Sequence, residues 1–239
     1  MGKRPTVPPS DYISHPSPNL DDRPDGTAID HLVLHYTGMK TGAAALERLC
    51  DPDAKVSAHY LVEEDGQIFQ MVDEAKRAWH AGVASWRGAR NINARSIGIE
   101  IVNPGHEHGY RPFPAEQISA VIELCRDILA HHDIPARNIV GHSDIAPWRK
   151  EDPGELFPWA SFAAASIGLW PGTGASAEGM DAIEALTSIG YLTMEPSSTE
   201  LAITAFQRRF RPALLNGIAD PETTGLIHAY AALCGIDAA

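Results

Sequence analysis

The sequence predicts an α/β chain of the α+β kind, with a central mixed sheet flanked by helices and a small three-helix unit at the carboxyl end. Three observations carry this. Apolar runs of strand length alternate with helical stretches along most of the chain. From Ala115 to His131, the residues Ile118, Val121, Ile122, Cys125, Ile128 and Leu129 recur at spacings of three and four, the stripe of a helix lying on a sheet. Pro171 opens a small, almost uncharged run, PGTGASAEGM, which reads as a boundary between folding units. The expected organisation is 1–170, with 1–30 as an extended lead-in, a linker over 171–180, and 181–239 as the three-helix unit.

The lead-in is rich in Pro and Asp and has no clear period. His31 to His35 is a short apolar run ended by Thr37-Gly38, hence a strand. Gly42 to Leu49, rich in Ala and Leu, reads as a helix. Ser57 to Glu63 and Gln67 to Val72 are strands on either side of Glu64-Asp65-Gly66, a hairpin signal. Ser96 to Val102, SIGIEIV, alternates strongly and is another strand, followed by the Ala115–His131 helix. Asn138 to Gly141 reads as a last short strand entering a loop from His142 to Pro158. Beyond the linker, Asp181 to Ile189, Thr199 to Phe210 and Glu222 to Leu233 read as helices, the second with Ser198 as its cap.

Composition removes several classes of function. At 239 residues, 44% hydrophobic and 21% charged, the chain is neither disordered, collagenous nor a coiled coil. Its 19 Lys+Arg stand against 31 Asp+Glu, a formal net charge of −12, which disfavours nucleic acid and anionic membrane surfaces as partners. No stretch approaches the roughly 18 unbroken apolar residues of a membrane span. Cys50, Cys125 and Cys234 are odd in number and far apart, so no disulfide framework is expected and a reducing compartment fits. The opening MGKRPTVPPSDYISHPSPNL lacks the apolar run of a secretory leader. A cytoplasmic protein is expected; a trimmed leader would place it in the periplasm or envelope instead.

Chemistry is expected where polar residues end strands, because a sheet holds them rigidly with their tips at the surface. His35 ends the first strand, Glu100 lies inside SIGIEIV, and His142, Lys150 and Asp152 occupy GHSDIAPWRKEDPG. Two imidazoles and a carboxylate form a three-ligand set of the kind that holds a catalytic zinc with a fourth position open. Each candidate has a plainer alternative. A single strand His is more often structural, and the spacing from His35 to His142 has none of the compactness of a zinc finger. Glu100, between Ile99 and Ile101, either faces solvent or serves something, since an unpartnered buried carboxylate is costly.

Five runs then point to a family. HLVLHYTG at 31–38, VSAHYLVEEDGQIFQMV at 56–72, AWHAG at 78–82, SIGIEIVN at 96–103 and GHSDIAPWRKEDPG at 141–154 together resemble the zinc-dependent type-2 N-acetylmuramoyl-L-alanine amidases. Such enzymes cut the amide between the lactyl group of N-acetylmuramic acid and the L-alanine of peptidoglycan stem peptides. The resemblance implies an amidase or peptidoglycan-recognition-like fold and one catalytic zinc ion, with His35, His142 and Asp152 as ligands. It makes Glu100 and Lys150 the catalytic pair. Relatives with a Cys in place of the Asp ligand and a Tyr near Ala58 form another branch, and this chain has neither feature.

The remaining polar residues have two readings each. His80 resembles a position lining the family's substrate groove, and is equally well a structural His. His59 reads as structural. Arg149 can pair with a substrate carboxylate or serve as a solvated loop charge. Trp79 and Trp148 can stack on a sugar or pack in a loop. Asp144 reads as a turn residue or cap. LTSIGYL at 186–192, AITAFQRRF at 202–210 and NGIADPETTGLI at 216–227 resemble the three-helix peptidoglycan-binding domain often fused to these amidases. The expected partners are peptidoglycan or soluble muropeptides, 1,6-anhydro forms included, with no protein partner inferred. The other reading of the chain is a non-catalytic receptor of wall fragments, and a weaker one is a zinc peptidase acting within the stem.

Overall fold

The computed structural model describes residues 12–172, 180–192 and 196–235, without side chains at 196 and 197. The predicted linker lies, over 173–179, outside the described residues. The strands are β1 (Ile13–Ser14), β2 (Leu20–Asp22), β3 (His31–Tyr36), β4 (Tyr60–Val62), β5 (Ile68–Gln70), β6 (Lys76–Ala78), β7 (Ser85–Trp86), β8 (Ala89–Arg90), β9 (Ser96–Ile101) and β10 (Ile139–Gly141). The helices are α1 (Gly42–Cys50), α2 (Gly105–His108), α3 (Ala115–His131), α4 (His142–Ile145), α5 (Trp159–Ala164), α6 (Ala182–Ile189), α7 (Pro196–Phe210) and α8 (Pro221–Leu233).

Six strands form one mixed sheet in the order β1-β5-β4-β9-β3-β10. Its centre is parallel: β4 on β9, β9 on β3 and β3 on β10. Central parallel strands need cover on both faces, and HLVLHY in β3 accordingly has five of its six residues buried. Side chains alternate between the faces. Leu32, Leu34, Ile97, Ile99 and Ile101 pack with Val121, Leu124, Cys125 and Ile128 of α3. Val33 and Val140 face the other way, into a core shared with Leu186, Ile189, Phe206, Phe210 and Tyr230 of the carboxyl-terminal helices and Trp86 of β7. A third cluster places Ala45 and Leu49 of α1 on Leu61, Met71 and Val102.

The Glu64-Asp65-Gly66 turn closes the antiparallel β4–β5 hairpin, with Glu63 N–H donating to Gln67 O at 2.9 Å and Gly66 at φ +86°. Helix α1 starts on Thr41, whose Oγ1 accepts from Ala44 N–H at 3.2 Å. Helix α3 has the bounds that its apolar stripe predicts. Helix α7 begins at Pro196, so Ser198 lies within its first turn and is not its cap. The segment 142–158, expected as loop, opens instead with the short helix α4. The short strands β1, β2 and β6 to β8 and helices α2 and α5 lie outside the predicted elements.

Candidate active site

The face of the sheet opposite α3 carries the polar residues. His35 and Glu100 are register partners on adjacent parallel strands, so they point the same way at the carboxyl end of the sheet. Gly141 pairs with Leu34 in the same ladder, which delivers His142 beside His35. The carboxyl ends of parallel strands are where open α/β sheets place ligand sites, and here α1 walls one side of the resulting cavity. That cavity, of about 360 Å³, is lined by His35, His80, Glu100, His142, Lys150 and Asp152, and by Arg48 and Leu49 of α1.

Three ligand-type atoms converge at its base. His35 Nδ1 lies 3.0 Å from His142 Nδ1 and 2.9 Å from Asp152 Oδ2, and His142 Nδ1 lies 3.1 Å from the same oxygen. All three residues are buried. The hydrogen-bond network on their far sides decides which nitrogens carry hydrogen. Ser96 Oγ donates to Ile92 O (2.7 Å) and therefore accepts from His80 Nε2–H (3.0 Å). His80 Nδ1 is thus left as an acceptor for His35 Nε2–H, 3.0 Å away. His142 Nε2–H donates to Ala81 O at 3.1 Å. Both Nδ1 atoms consequently present lone pairs to each other and to a carboxylate, a cluster of three acceptors that a cation would hold together. Their edges approach the roughly 3.3 Å expected between ligands of a tetrahedral ion with bonds of about 2.0–2.1 Å. The donor set fits a metal ion.

Electrostatics agree with this arrangement. Burial and the neighbouring His142 lower His35 to about 4, keeping the ring neutral. Burial raises Asp152, and His142 and His35 lower it well below the usual carboxylate range only as donors to it; with both Nδ1 atoms as acceptors, a cation is what keeps this buried carboxylate ionised. Glu100 behaves oppositely: burial and the Asp152 charge push it well above its ordinary value, while Lys150 pulls it down. The residue is partly exposed, yet its Oε2 is buried without a hydrogen-bond partner among the described residues. A carboxyl oxygen left free inside a cleft, beside a metal-type cluster, is available for proton transfer.

The other predicted residues separate by what they touch. His80 is buried between His35 and Ser96, and its backbone N–H and that of Ala81 both donate to Asn93 Oδ1, at 3.1 and 2.7 Å. A side chain at Gly98 would collide with the His80 ring, its Cβ 2.4 Å from the imidazole Cγ, so the glycine in SIGIEIV makes room for that ring. Arg149 donates through Nε and Nη2 to Val83 O, and through Nη2 to Ala81 O beside the His142 donor. Trp79 lines the cavity with its Nε1–H donated to Asp21 at 2.7 Å. Trp148 is exposed. His59 accepts from Gly98 N–H through Nδ1 and is fully buried just before β4. Asn93 and Ser96, which hold His80, carry no sequence signal, because a polar residue before a strand has many ordinary uses.

Residues 25–155 match the family model described as N-acetylmuramoyl-L-alanine amidase, more than half of the chain. The chain belongs to that amidase family. The amidase is 38% identical over 235 residues to the N-acetylmuramoyl-L-alanine amidase AmiD of Escherichia coli K12, covering 86% of this chain and 83% of that protein. It is 39% identical over 164 residues to the 1,6-anhydro-N-acetylmuramyl-L-alanine amidase AmpD of the same organism, covering 62% and 87%. Among solved structures, AmiD in complex with anhydro-N-acetylmuramic acid-L-Ala-D-γ-Glu-L-Lys superposes with a TM-score of 0.78, at 38% identity over 90% of this chain and 93% of that one. AmpDh3 of Pseudomonas aeruginosa superposes with a TM-score of 0.77 at 34% identity, over 87% and 93%. In the amidase, no helix among the described residues is long and apolar enough to cross a membrane.

Proposed function

We propose that the amidase hydrolyses the amide between the lactyl group of N-acetylmuramic or 1,6-anhydro-N-acetylmuramic acid and L-alanine, with zinc held by His35, His142 and Asp152. The convergence of two imidazole Nδ1 atoms and one carboxylate oxygen beside Glu100 Oε2, which has no hydrogen-bond partner among the described residues, is the observation that supports it. The ion, when bound, supplies Lewis-acid polarisation of the scissile carbonyl and makes a hydroxide nucleophile available near neutral pH. Glu100 takes the proton of the attacking water at Oε2 and returns a proton to the departing alanine nitrogen. The Lys150 ammonium, at the same cavity, offsets the negative charge that develops on the carbonyl oxygen. His80 and Ala81 O hold the two imidazoles in the tautomers the cation requires. Trp79 and the walls contributed by α1 exclude water from the reacting bond and contact the substrate, while Arg149 shapes the rim through the 81–83 carbonyls.

The substrates in the AmiD and AmpD names and complexes support an anhydro-muropeptide as the small substrate. Residues 181–239 are read as a wall-binding unit, on the motifs at 186–192, 202–210 and 216–227. The free thiols of Cys50, Cys125 and Cys234 favour a reducing compartment, hence the cytoplasm.

The deciding experiment incubates the zinc-loaded chain with a muramyl peptide and identifies the products by mass spectrometry. The expected products are a sugar bearing a free lactyl carboxylate and a peptide with a free alanine amine, both lost with a chelator. Cleavage between stem amino acids, or turnover indifferent to the chelator, refutes the reading. Pelleting of the metal-free full-length chain with purified sacculi tests the wall-binding unit, which fails if the chain stays in solution.

A further inference from the structure

The adjacent arginines of AFQRRF, on α7, reach opposite ends of the segment that carries two of the three proposed metal ligands. Arg209 Nη1 donates to Asp144 Oδ2 at 2.7 Å, with the two side chains 3% and 1% exposed. Its Nη2 donates to Ile139 O at 3.0 Å, and its guanidinium lies 3.9 Å from the centre of the Trp159 ring. Asp144 stands two residues after the ligand His142. Its carboxylate also accepts from Tyr191 O–H at Oδ1 (2.6 Å) and from Gly141 N–H at Oδ2 (2.8 Å). At the far end, Arg208 Nη2 donates to Glu151 Oε1 at 3.4 Å and its Nε lies 3.7 Å from Glu155 Oε2. Glu151 is the neighbour of the ligand Asp152. Within the segment, Ser143 N–H donates to Asp152 O at 2.8 Å, so the His142 and Asp152 ends are tied together.

We propose that α7 braces the metal-ligand loop, with Arg209 and Arg208 as positioning residues that hold its His142 and Asp152 ends in register. The proposal rests on the reading of His35, His142 and Asp152 as a metal site. Among the described residues none of those lining the cavity comes from the carboxyl-terminal helices, yet α7 through Arg209, and Tyr191 just after α6, supply the side-chain donors to Asp144. A buried carboxylate is stable only with such partners. Anchoring it to α7 transfers the rigidity of the shared core to the helix turn that aims the His142 ring. A helix of the carboxyl-terminal unit thus sets the geometry of the site in this chain.

Four full-length variants test the brace: R209M, R209K, R208Q and, as a control in the same core without polar contact to the loop, I227A. Zinc affinity is read by competition with a chromophoric chelator, ligand geometry from the visible spectrum of the cobalt(II)-loaded protein, and loop order from hydrogen exchange at Gly141 and Ser143 in metal-free protein. R209M is expected to weaken zinc binding at least ten-fold, to alter the cobalt spectrum and to speed exchange at both amides. R209K is expected to fall between R209M and the parent, and R208Q to weaken binding a few-fold. I227A is expected to lower the unfolding temperature while keeping the parent's affinity and spectrum. Parental affinity and spectrum in R209M, or an equal loss in I227A, overturns the proposal. Should R209M not fold, R209K and R208Q decide, and parental behaviour in both overturns it. If the parent itself binds neither metal, the metal reading fails instead, and unchanged exchange at Gly141 and Ser143 in R209K and R208Q then sinks the brace by itself.

Discussion

Glu100 combines two properties that rarely coexist in a structural carboxylate. Its Oε2 has no hydrogen-bond partner among the described residues, and burial with the nearby Asp152 charge favours its protonated form. Glu100→Gln keeps the volume and removes the proton acceptor, so it is expected to leave metal content at one ion per chain while turnover falls about 10²–10⁴-fold. Full activity in a metal-replete variant takes the proton role away from Glu100. Lys150→Ala is expected to cost about 3 kcal/mol in the barrier, the scale of removing one oxyanion donor, with substrate affinity little changed; steady-state kinetics separate the two effects. His80 touches His35 on the side away from the cluster. His80→Ala leaves His35 Nε2–H without its acceptor and is expected to weaken zinc binding about 10–100-fold. His80→Gln, whose amide oxygen can accept that hydrogen, should recover part of the loss. A chelator titration showing no difference between His80→Ala and the parent would remove His80 from this role.

Secondary-structure elements in this chain are held by capping and by alternation more than by length. Strand β9 is the clearest case, with Ile97, Ile99 and Ile101 on the α3 side and Ser96, Gly98 and Glu100 on the site side, so one six-residue strand serves core and chemistry together. Helix α8 starts on Asp220, whose carboxylate accepts from Thr223 N–H at 2.9 Å and from Arg211 Nη1 at 2.7 and 2.8 Å. The hydrogen bond from Arg211, aided by Thr223, lowers the Asp220 carboxyl to about 2. A carboxyl depressed in the folded state contributes stability above its unfolded value, about 3.9, and loses that contribution as pH falls toward 2. The unfolding temperatures of the parent and of Asp220→Asn are therefore expected to differ at pH 5 and to draw together as pH falls to about 2. A constant gap across that range excludes the Asp220 linkage.

At the scale of the molecule, the carboxyl-terminal helices and the sheet share one apolar core. Phe206 of α7 is fully buried in the same cluster as Val33, Trp86 and Val140, and Trp86 sits edge-on to Tyr191 with ring centres 5.0 Å apart. Arg87 adds donations from Nη1 to Ser188 O and Ile189 O at the end of α6. Phe206→Ala is expected to cost about 3–5 kcal/mol. Because the core is continuous, that loss should lower a single transition in which tryptophan fluorescence and far-ultraviolet circular dichroism coincide. Two resolved transitions, with only the later helices affected, would refute the continuity. The site occupies the same face of the sheet as this core, which is how a helix without a cavity residue can bear on catalysis.

Periodicity and motif order made the centre of the molecule legible from the residues themselves. The stripe on Ala115–His131 needs only local spacing, as does the alternation in SIGIEIV, and the turn at Gly66 follows from the backbone freedom of one residue. The five ordered motifs likewise carried the identities of His35, His142 and Asp152, which the structure brings within 3.1 Å of one another. Strands β6 to β8 escaped because two or three residues cannot display a period, and α4 escaped because a single helical turn is too short for a stripe. The roles of Ser96, Asn93 and His80 were undecidable in the chain alone, since a tautomer depends on which acceptor the far nitrogen meets. The link from Arg209 to Asp144 spans 65 residues. Local sequence settles what each segment forms, whereas only the packed structure decides which distant groups share a buried charge, because that depends on the pairing of surfaces and not on the order of residues.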